Sequence, residues 1–196
     1  MTIAAALAAA IPGLDLTAPF EAAFASASRR FGKAPIAAAH VAAIRAAGLV
    51  IPDDLGHDEC ARGAMLVAAE PSMELVRDLV RRGEVRERQA VLRVLAALPE
   101  PARFLHLAVD ACRTNVEGVF QAIACDNAFP ALHFPDAAFH QMVLKALFTG
   151  APLARVHRLR ERTTDELVRM VRAYASERRA AGRTVPEDAK LVTGDP

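Results

Sequence analysis

The chain has few of the residues on which several common protein classes depend. It contains no tryptophan and one tyrosine, and aromatic residues make up only 5% of its 196 residues. Much of the 53% hydrophobic fraction is alanine. Because alanine has the highest helix propensity and lets neighbouring backbones approach closely, this composition favours tightly packed helices.

Cysteine and net charge are also scarce. Cys60, Cys112 and Cys125 form an odd set without CxxC spacing, which argues against a disulfide framework or a zinc finger and fits reduced thiols. The formal net charge of +1 gives no large positive field for nucleic acid or anionic lipid. Arginine-rich runs such as VRRGEVRER are interleaved with glutamate, which indicates solvated helix faces. We therefore predict no nucleic-acid partner.

Long apolar runs and the common chemical motifs are absent as well. No run approaches the roughly 20 apolar residues that cross a bilayer, and the N-terminal MTIAAALAAAIPGLDL lacks a positively charged start, so we predict no transmembrane segment and a cytoplasmic protein. The sequence has no GxSxG, no HExxH and no glycine-rich phosphate loop. Neither His133 with His140 nor His57 with Cys60 matches a zinc spacing. We predict no metal site and no cofactor.

Signals for the starts and ends of helices recur along the whole chain, whereas strand signals are nearly absent. Glycine ends five of the predicted helices, at Gly32, Gly48, Gly83, Gly150 and Gly182. Predicted starts lie at Thr17 with Pro19, at Asp58, at Asn115, at Pro135 with Asp136, and at Thr163 with Glu166.

These signals predict an all-α protein of about eight or nine helices with no β-sheet. The short connections favour antiparallel helical pairs, and thus an irregular α-α superhelix of the HEAT-like kind, with an irregular bundle as the alternative. We predict one helical domain over residues 1–183. Residues 184–196 lose the helical period, and we expect them to be a loosely ordered tail.

Two helices, VEGVFQAIAC and FHQMVLKALF, are apolar on nearly every side and are predicted to form the centre of the molecule. The second contains Lys145. If this lysine does not extend along its apolar stem to the surface, it needs an acidic partner, for which Asp126 and Glu117 are candidates, or a depressed pKa.

Polar residues collect around the loop DNAFPALHFPD between these two helices. Loops on a rigid scaffold often carry binding groups, so we take seven nearby residues as candidate ligand-binding residues: Arg113, Asn115, Asn127, His133, His140, Gln141 and Lys145. Structural roles are the alternative, because Asn115 fits a helix cap, Asn127 a turn and Arg113 a helix C-terminus.

Four runs in order, FASASRRFGKAPI, RTNVEGVFQAIACDNAFP, FHQMVLKALFTGAPLARV and DELVRMVRAYASERRAAGR, resemble the EboA family. The chain departs from the family pattern at His140, where the family has asparagine, and at residues 127–130, where NAFP replaces an Asn-Pro-Tyr-Pro loop. The resemblance implies a cytoplasmic helical protein of bacterial ebo operons, which are associated with secondary-metabolite biosynthesis or export. It carries over no catalytic residues.

The resemblance and the missing motifs together favour a non-catalytic accessory or scaffold protein. Such a protein would bind proteins of the same operon, a small-molecule metabolite, or both. The alternative is a small-molecule-binding enzyme with a polar pocket around Lys145, His140, Gln141, Arg113 and Asn127. In that case Lys145 would bind an anion or act as a base.

Overall fold

The computed structural model of the chain describes residues 1–194, and within them the protein is all-helical, with 68% helix and no strand. Thirteen α-helices, numbered α1 to α13 in chain order, span Ile3–Ala9, Phe20–Phe31, Ala38–Ala46, His57–Ala69, Met73–Arg82, Val85–Val94, Leu105–Ala111, Glu117–Ala124, Phe129–His133, Asp136–Thr149, Leu159–Arg162, Asp165–Ala180 and Lys190–Thr193. Four 3₁₀ turns span Leu95–Ala97, Pro101–Phe104, Leu153–Arg155 and Glu187–Ala189.

The predicted number of eight or nine helices is too low, because several corners are themselves helical. The helices α9, α11 and α13 have only five, four and four residues, and each lies in a segment predicted to be a loop or tail. Such single turns are too short to show a hydrophobic period in the sequence. The regular superhelical arrangement of helical pairs stays a prediction.

Predicted helix ends are accurate where glycine is needed and less accurate at the starts. Gly32 and Gly150 follow α2 and α10 with φ angles of 75° and 79°, a region that glycine enters without steric cost. The predicted start at Thr163 is wrong by one residue, since Thr164 caps α12 by accepting a hydrogen bond from the Leu167 amide. Asn115 does not cap α8, which follows Val116 without a side-chain cap.

The centre of the molecule differs from the prediction. Helix α4 is buried continuously from Asp58 to Leu66, and α1, α2 and α6 all pack on it. Its small residues Ala61, Gly63 and Ala64 let these neighbours approach, so the helix is enclosed although its sequence contains charges. From the sequence, α8 and α10 were predicted to form the centre because they are the most apolar helices. That prediction took no account of the small side chains that let other helices pack closely around α4.

Helix α10 lies at the boundary between the core and the surface. Its residues Phe139, Met142, Val143, Ala146 and Leu147 are buried, and it packs on α8 and α12. The opposite side is open, since Gln141 is exposed and Phe148 is 73% exposed. Lys145 lies between these two sides and is half-buried.

Residues 184–194 contact the body of the protein at a few points. The short helix α13 buries Val192, and the preceding 3₁₀ turn buries Ala189. The carboxylate of Asp188 accepts a hydrogen bond from the Leu153 amide at 2.7 Å. Two apolar side chains thus contact the body within residues 184–194, and the loosely ordered tail expected over residues 184–196 from the lost helical period stays a prediction. Residues 195 and 196 lie outside the described part of the chain.

No helix in residues 1–194 has the length and the apolar character that a membrane span requires. The longest, α12, has 16 residues and carries glutamate and arginine along its length.

Candidate functional site

The positive charge of Lys145 is stabilised by backbone carbonyl groups rather than by a carboxylate. Its ammonium donates hydrogen bonds to the carbonyl oxygens of Cys112 and Thr114, both at 2.6 Å, just after the end of α7. It also lies 4.8 Å from the centroid of the Phe120 ring. Carbonyls at a helix C-terminus are unpaired and partly negative, which suits a cation.

The acidic partners predicted for Lys145 are engaged elsewhere. Asp126 accepts a hydrogen bond from Arg155 at 2.6 Å, and Glu117 accepts one from Gln121 at 2.9 Å. None of the ion pairs among residues 1–194 includes Lys145. Its formal positive charge therefore has no counter-ion in the described part of the chain, although its surroundings solvate it.

Two adjoining hollows meet at Lys145. The first, between α7 and α10, has a volume of about 510 Å³ and is lined by Val109, Cys112, Arg113, Phe134, Ala137, Ala138, Gln141, Met142 and Lys145. The second, which we call the Lys145 cleft, lies between α10 and α12, has a volume of about 690 Å³ and is lined by Asn115, Gln141, Leu144, Lys145, Phe148, Thr149, Met170, Ala173, Tyr174 and Glu177. Gln141 and Lys145 border both hollows.

Of the seven candidate residues, four line these hollows: Arg113, Asn115, Gln141 and Lys145. Arg113 is exposed and pairs with Asp110 at 3.1 Å on its own helical turn. Asn115 and Gln141 are exposed residues. The other three candidates have structural contacts.

Asn127 is buried, and its whole amide is used by the backbone. Its Nδ2 donates to the carbonyls of Leu92 and Ala122, at 2.9 and 2.8 Å, and its Oδ1 accepts from the Phe129 amide at 2.9 Å. These bonds join α6, α8 and α9. Asn127 therefore has a structural role and lines neither hollow.

The two histidines also lie outside both hollows. His140 is buried, and its Nε2 is 3.0 Å from Oγ1 of Thr164, the residue that caps α12. His133 lies against the Phe129 ring at a centroid distance of 4.6 Å. Burial lowers the pKa of His133, which favours a neutral ring packed on its neighbour.

A buried ionic network on α4 is the main polar feature that sequence reasoning missed. The fully buried Asp58 carboxylate accepts hydrogen bonds from Ser28 at 2.6 Å, from Arg62 at 3.1 Å and from Arg86 Nε at 3.0 Å, and Arg86 Nη2 contacts its other oxygen. Glu59 pairs with Arg86 and Arg93, both at 3.1 Å. The spacing of Asp58 and Arg62 by four residues on one helix was the available signal.

Burial opposes ionisation of Asp58, but the network outweighs it. Hydrogen bonds from Arg86 and Ser28, together with the charges of Arg86 and Arg62, lower the pKa of the Asp58 carboxyl below its usual value. The sequence predicted Asp58 as a helix cap, whereas Gly56 precedes α4 and Asp58 lies inside the helix. The network links α2, α4 and α6 and is remote in sequence from the Lys145 cleft.

The three cysteines are free and buried. Burial raises the pKa of Cys60 and Cys112 to about 12 and that of Cys125 to about 11. Thiols with such pKa values are protonated at neutral pH and are poor nucleophiles.

The fold and the site define a class of protein: an all-helical protein with an open, largely apolar cleft beside a half-buried cation. The family profile described as "Metabolite traffic protein EboA" matches residues 10–192, and the chain belongs to the EboA family. The resemblance predicted from the sequence is thus confirmed. Comparisons with curated proteins and with solved structures found no match.

Proposed function

We propose that this protein is a non-catalytic metabolite-binding protein, an accessory of a secondary-metabolite biosynthesis or export operon, which takes up a small molecule in the Lys145 cleft. The family description supports a role in metabolite handling. The proposal adds the place of binding and the absence of a chemical step.

The observation that carries the proposal is the lining of the Lys145 cleft. Leu144, Phe148, Met170 and the Tyr174 ring supply apolar surface, and Lys145 supplies one charged donor. Small-molecule sites typically occupy about 300–1,000 Å³ and combine apolar walls with a few polar groups that fix orientation. The cleft, at about 690 Å³, has this size and composition.

Binding is better supported than catalysis because the polar candidates do not converge. The enzyme hypothesis requires His140 and Asn127 beside Lys145, yet the first bonds Thr164 and the second bonds only backbone groups. A general base must reach the proton that it abstracts, either directly or through one water. Lys145 already donates two of its three N–H groups to carbonyls, which suits a fixed cation.

A substitution that fills the cleft tests the proposal. Ala173 is exposed on α12 and lines the cleft, so Ala173→Phe places a ring in the space without changing charge. Ala180→Phe, at the exposed end of the same helix and outside the cleft, is the matched control. The probe is the neutral dye N-phenyl-1-naphthylamine, whose fluorescence rises on entering an apolar site.

We expect the affinity of the dye to fall by about tenfold or more in Ala173→Phe, because its apolar contact area is displaced. Ala180→Phe should bind the dye like the unmodified protein. Equal binding by all three proteins would contradict the location, and the absence of any dye binding would contradict the proposed function.

Docking to proteins of the same operon is the second candidate, supported by the exposure of the Phe148 side chain at the rim of the cleft. Contiguous apolar surface marks protein–protein interfaces, and Phe148 adjoins the other apolar side chains of the cleft. Pull-down with the neighbouring operon proteins should recover a partner, and Phe148→Ser should weaken the recovery. Recovery of no folded partner would count against this candidate.

A further inference from the structure

The charged residues that line the Lys145 cleft indicate which class of ligand it can bind. Among the described residues that line it, Lys145 is the cation and Glu177 the anion, and the remaining polar groups are neutral. Lys145 and Glu177 do not pair with each other, since no ion pair in residues 1–194 includes Lys145. The cleft therefore offers one positive charge, that of Lys145, to a ligand, and Glu177 places a negative charge elsewhere on its wall.

The ammonium has one N–H that no hydrogen bond among residues 1–194 uses, and the centroid of the Phe120 ring lies 4.8 Å from it. An ammonium has three N–H donors, and the carbonyls of Cys112 and Thr114 accept two of them at 2.6 Å. Carbonyl dipoles stabilise the cation but carry no net charge, so the ammonium still attracts a ligand anion. A carboxylate oxygen bound to the third N–H would form a charge-assisted hydrogen bond, which is shorter and stronger than a neutral one.

The walls beside the ammonium suit rings. Phe148, Met170 and Tyr174 lie along the cleft, and thioether and aromatic groups both make favourable contacts with aromatic faces. The Tyr174 hydroxyl is buried and has no hydrogen-bond partner among residues 1–194. An unpaired buried hydroxyl is costly, so a ligand oxygen that bonded it would offset that cost.

We propose that the Lys145 cleft selects a monoanionic amphipathic acid, an apolar ring system that carries one carboxylate, with the carboxylate on the Lys145 ammonium and the rings against Phe148 and Met170. This inference rests on the proposed function. A polyanion such as a nucleoside diphosphate fits poorly, because one ammonium neutralises one charge and Glu177 repels the next.

Two dyes that share one ring system test the charge requirement. 8-Anilino-1-naphthalenesulfonate has one negative charge, and N-phenyl-1-naphthylamine has the same rings without it. Both are titrated against the unmodified protein, against Lys145→Met, which keeps the apolar stem and removes the charge, and against Ala173→Phe, which blocks the cleft. Far-UV circular dichroism and retained binding of the neutral dye report that Lys145→Met is folded.

We expect Lys145→Met to bind the anionic dye about tenfold more weakly, the loss of one charge-assisted hydrogen bond, with the affinity for the neutral dye unchanged. In displacement of the anionic dye, 1-naphthoate should be more effective than 1-naphthyl phosphate, which carries two charges at mildly alkaline pH. Loss of both dyes in Ala173→Phe would place the binding in the cleft.

The contrary results separate the two proposals. If Lys145→Met binds both dyes like the unmodified protein while Ala173→Phe binds neither, the cleft binds small molecules but the acid requirement is wrong. Stronger displacement by the phosphate would overturn the preference for one charge. If Ala173→Phe binds both dyes like the unmodified protein, the Lys145 cleft is not the binding site, and the ligand class inferred from its lining fails with that location. If the unmodified protein binds neither dye, the proposed function itself is contradicted.

Discussion

Removal of the Asp58 carboxylate should destabilise the protein more than any surface substitution. In Asp58→Ala the guanidinium groups of Arg62 and Arg86 lose their shared acceptor, and Ser28 loses its own. Arg86 keeps its ion pair with Glu59, but the Arg62 side chain, 2% exposed, keeps only uncharged partners, the Phe24 carbonyl and the Ser28 hydroxyl. A buried cation without a counter-ion is among the costliest defects in a folded protein.

The expected loss is about 3–5 kcal/mol in the free energy of unfolding, the range for breaking a buried ion pair by removing one partner. In a chain of this length each kcal/mol shifts Tm by about 2–4 °C, so Tm should fall by about 6–20 °C. Urea denaturation followed by far-UV circular dichroism measures the free energy, and a thermal scan measures Tm.

Asp53→Ala is the matched control, because Asp53 also pairs with an arginine, Arg45, at 2.8 Å, but its side chain is 90% exposed. Exposed pairs contribute about 0–1 kcal/mol, so this variant should denature almost like the unmodified protein. If the free energy of unfolding falls by the same amount in Asp58→Ala and Asp53→Ala, the buried network does not stabilise the fold more than an exposed ion pair does.

The same carboxylate predicts a dependence on pH. Because the folded protein lowers the pKa of Asp58, its ionisation stabilises the fold above the unfolded pKa of about 3.9, and this contribution is lost as the pH falls through the folded pKa. The stability difference between the unmodified protein and Asp58→Ala should be constant near neutrality and should shrink below pH of about 4. A difference that grows on acidification would contradict the assigned direction.

Three further predictions concern Lys145, the cysteines and Gly150. Lys145→Met should lower the free energy of unfolding by about 1–3 kcal/mol, because two carbonyls after α7 lose their hydrogen-bond donor. The control Lys33→Met, at an exposed lysine, should change it by less than about 0.5 kcal/mol. Urea denaturation measures both values. The three buried cysteines should resist a thiol reagent in the folded protein at mildly alkaline pH and react after denaturation, and fast reaction of the native protein would contradict their burial. Gly150→Ala should cost about 1–2 kcal/mol because φ is 79°, and Gly150→Asn should cost less; equal stability of both variants with the unmodified protein would refute the strain.

Local signals in the sequence predicted the parts of the fold that depend on local chemistry. Gly32 and Gly150 end their helices because only glycine enters a positive φ angle without a side-chain clash, and this requirement is visible in the sequence. The all-helical class follows from alanine content and from such punctuation. Short helical corners such as Phe129–His133 were missed because one turn shows no period.

The buried polar contacts could not be predicted because they join residues far apart in the chain. Arg86 reaches Asp58 across 28 positions, and the carbonyls that accept from Lys145 are 31 and 33 positions away. Periodicity shows which side of a helix is apolar but does not show which helix faces it. The sequence thus predicted a carboxylate partner, Asp126 or Glu117, for a Lys145 withdrawn from solvent, whereas the groups that bind its ammonium are carbonyls after α7.

The candidate residues around the loop between α8 and α10 do not all lie at one site, because neighbours in sequence can lie on different sides of a helix. Gln141 and Lys145 are one helical turn apart on α10, so their shared border of the cleft follows from spacing alone. His140 is next to Gln141 in sequence but about a quarter-turn away around the helix, which carries it into the interior and onto Thr164. Proximity in sequence predicted one pocket, and helix geometry separated its members.

Binding of an acid in the Lys145 cleft is tested most directly by amide chemical shifts during a titration with 1-naphthoate. The largest changes should fall in residues 141–149 of α10 and 170–177 of α12, and they should be absent in Ala173→Phe. No change on addition of 1-naphthoate, or changes confined to the helices around Asp58, would contradict binding at this cleft.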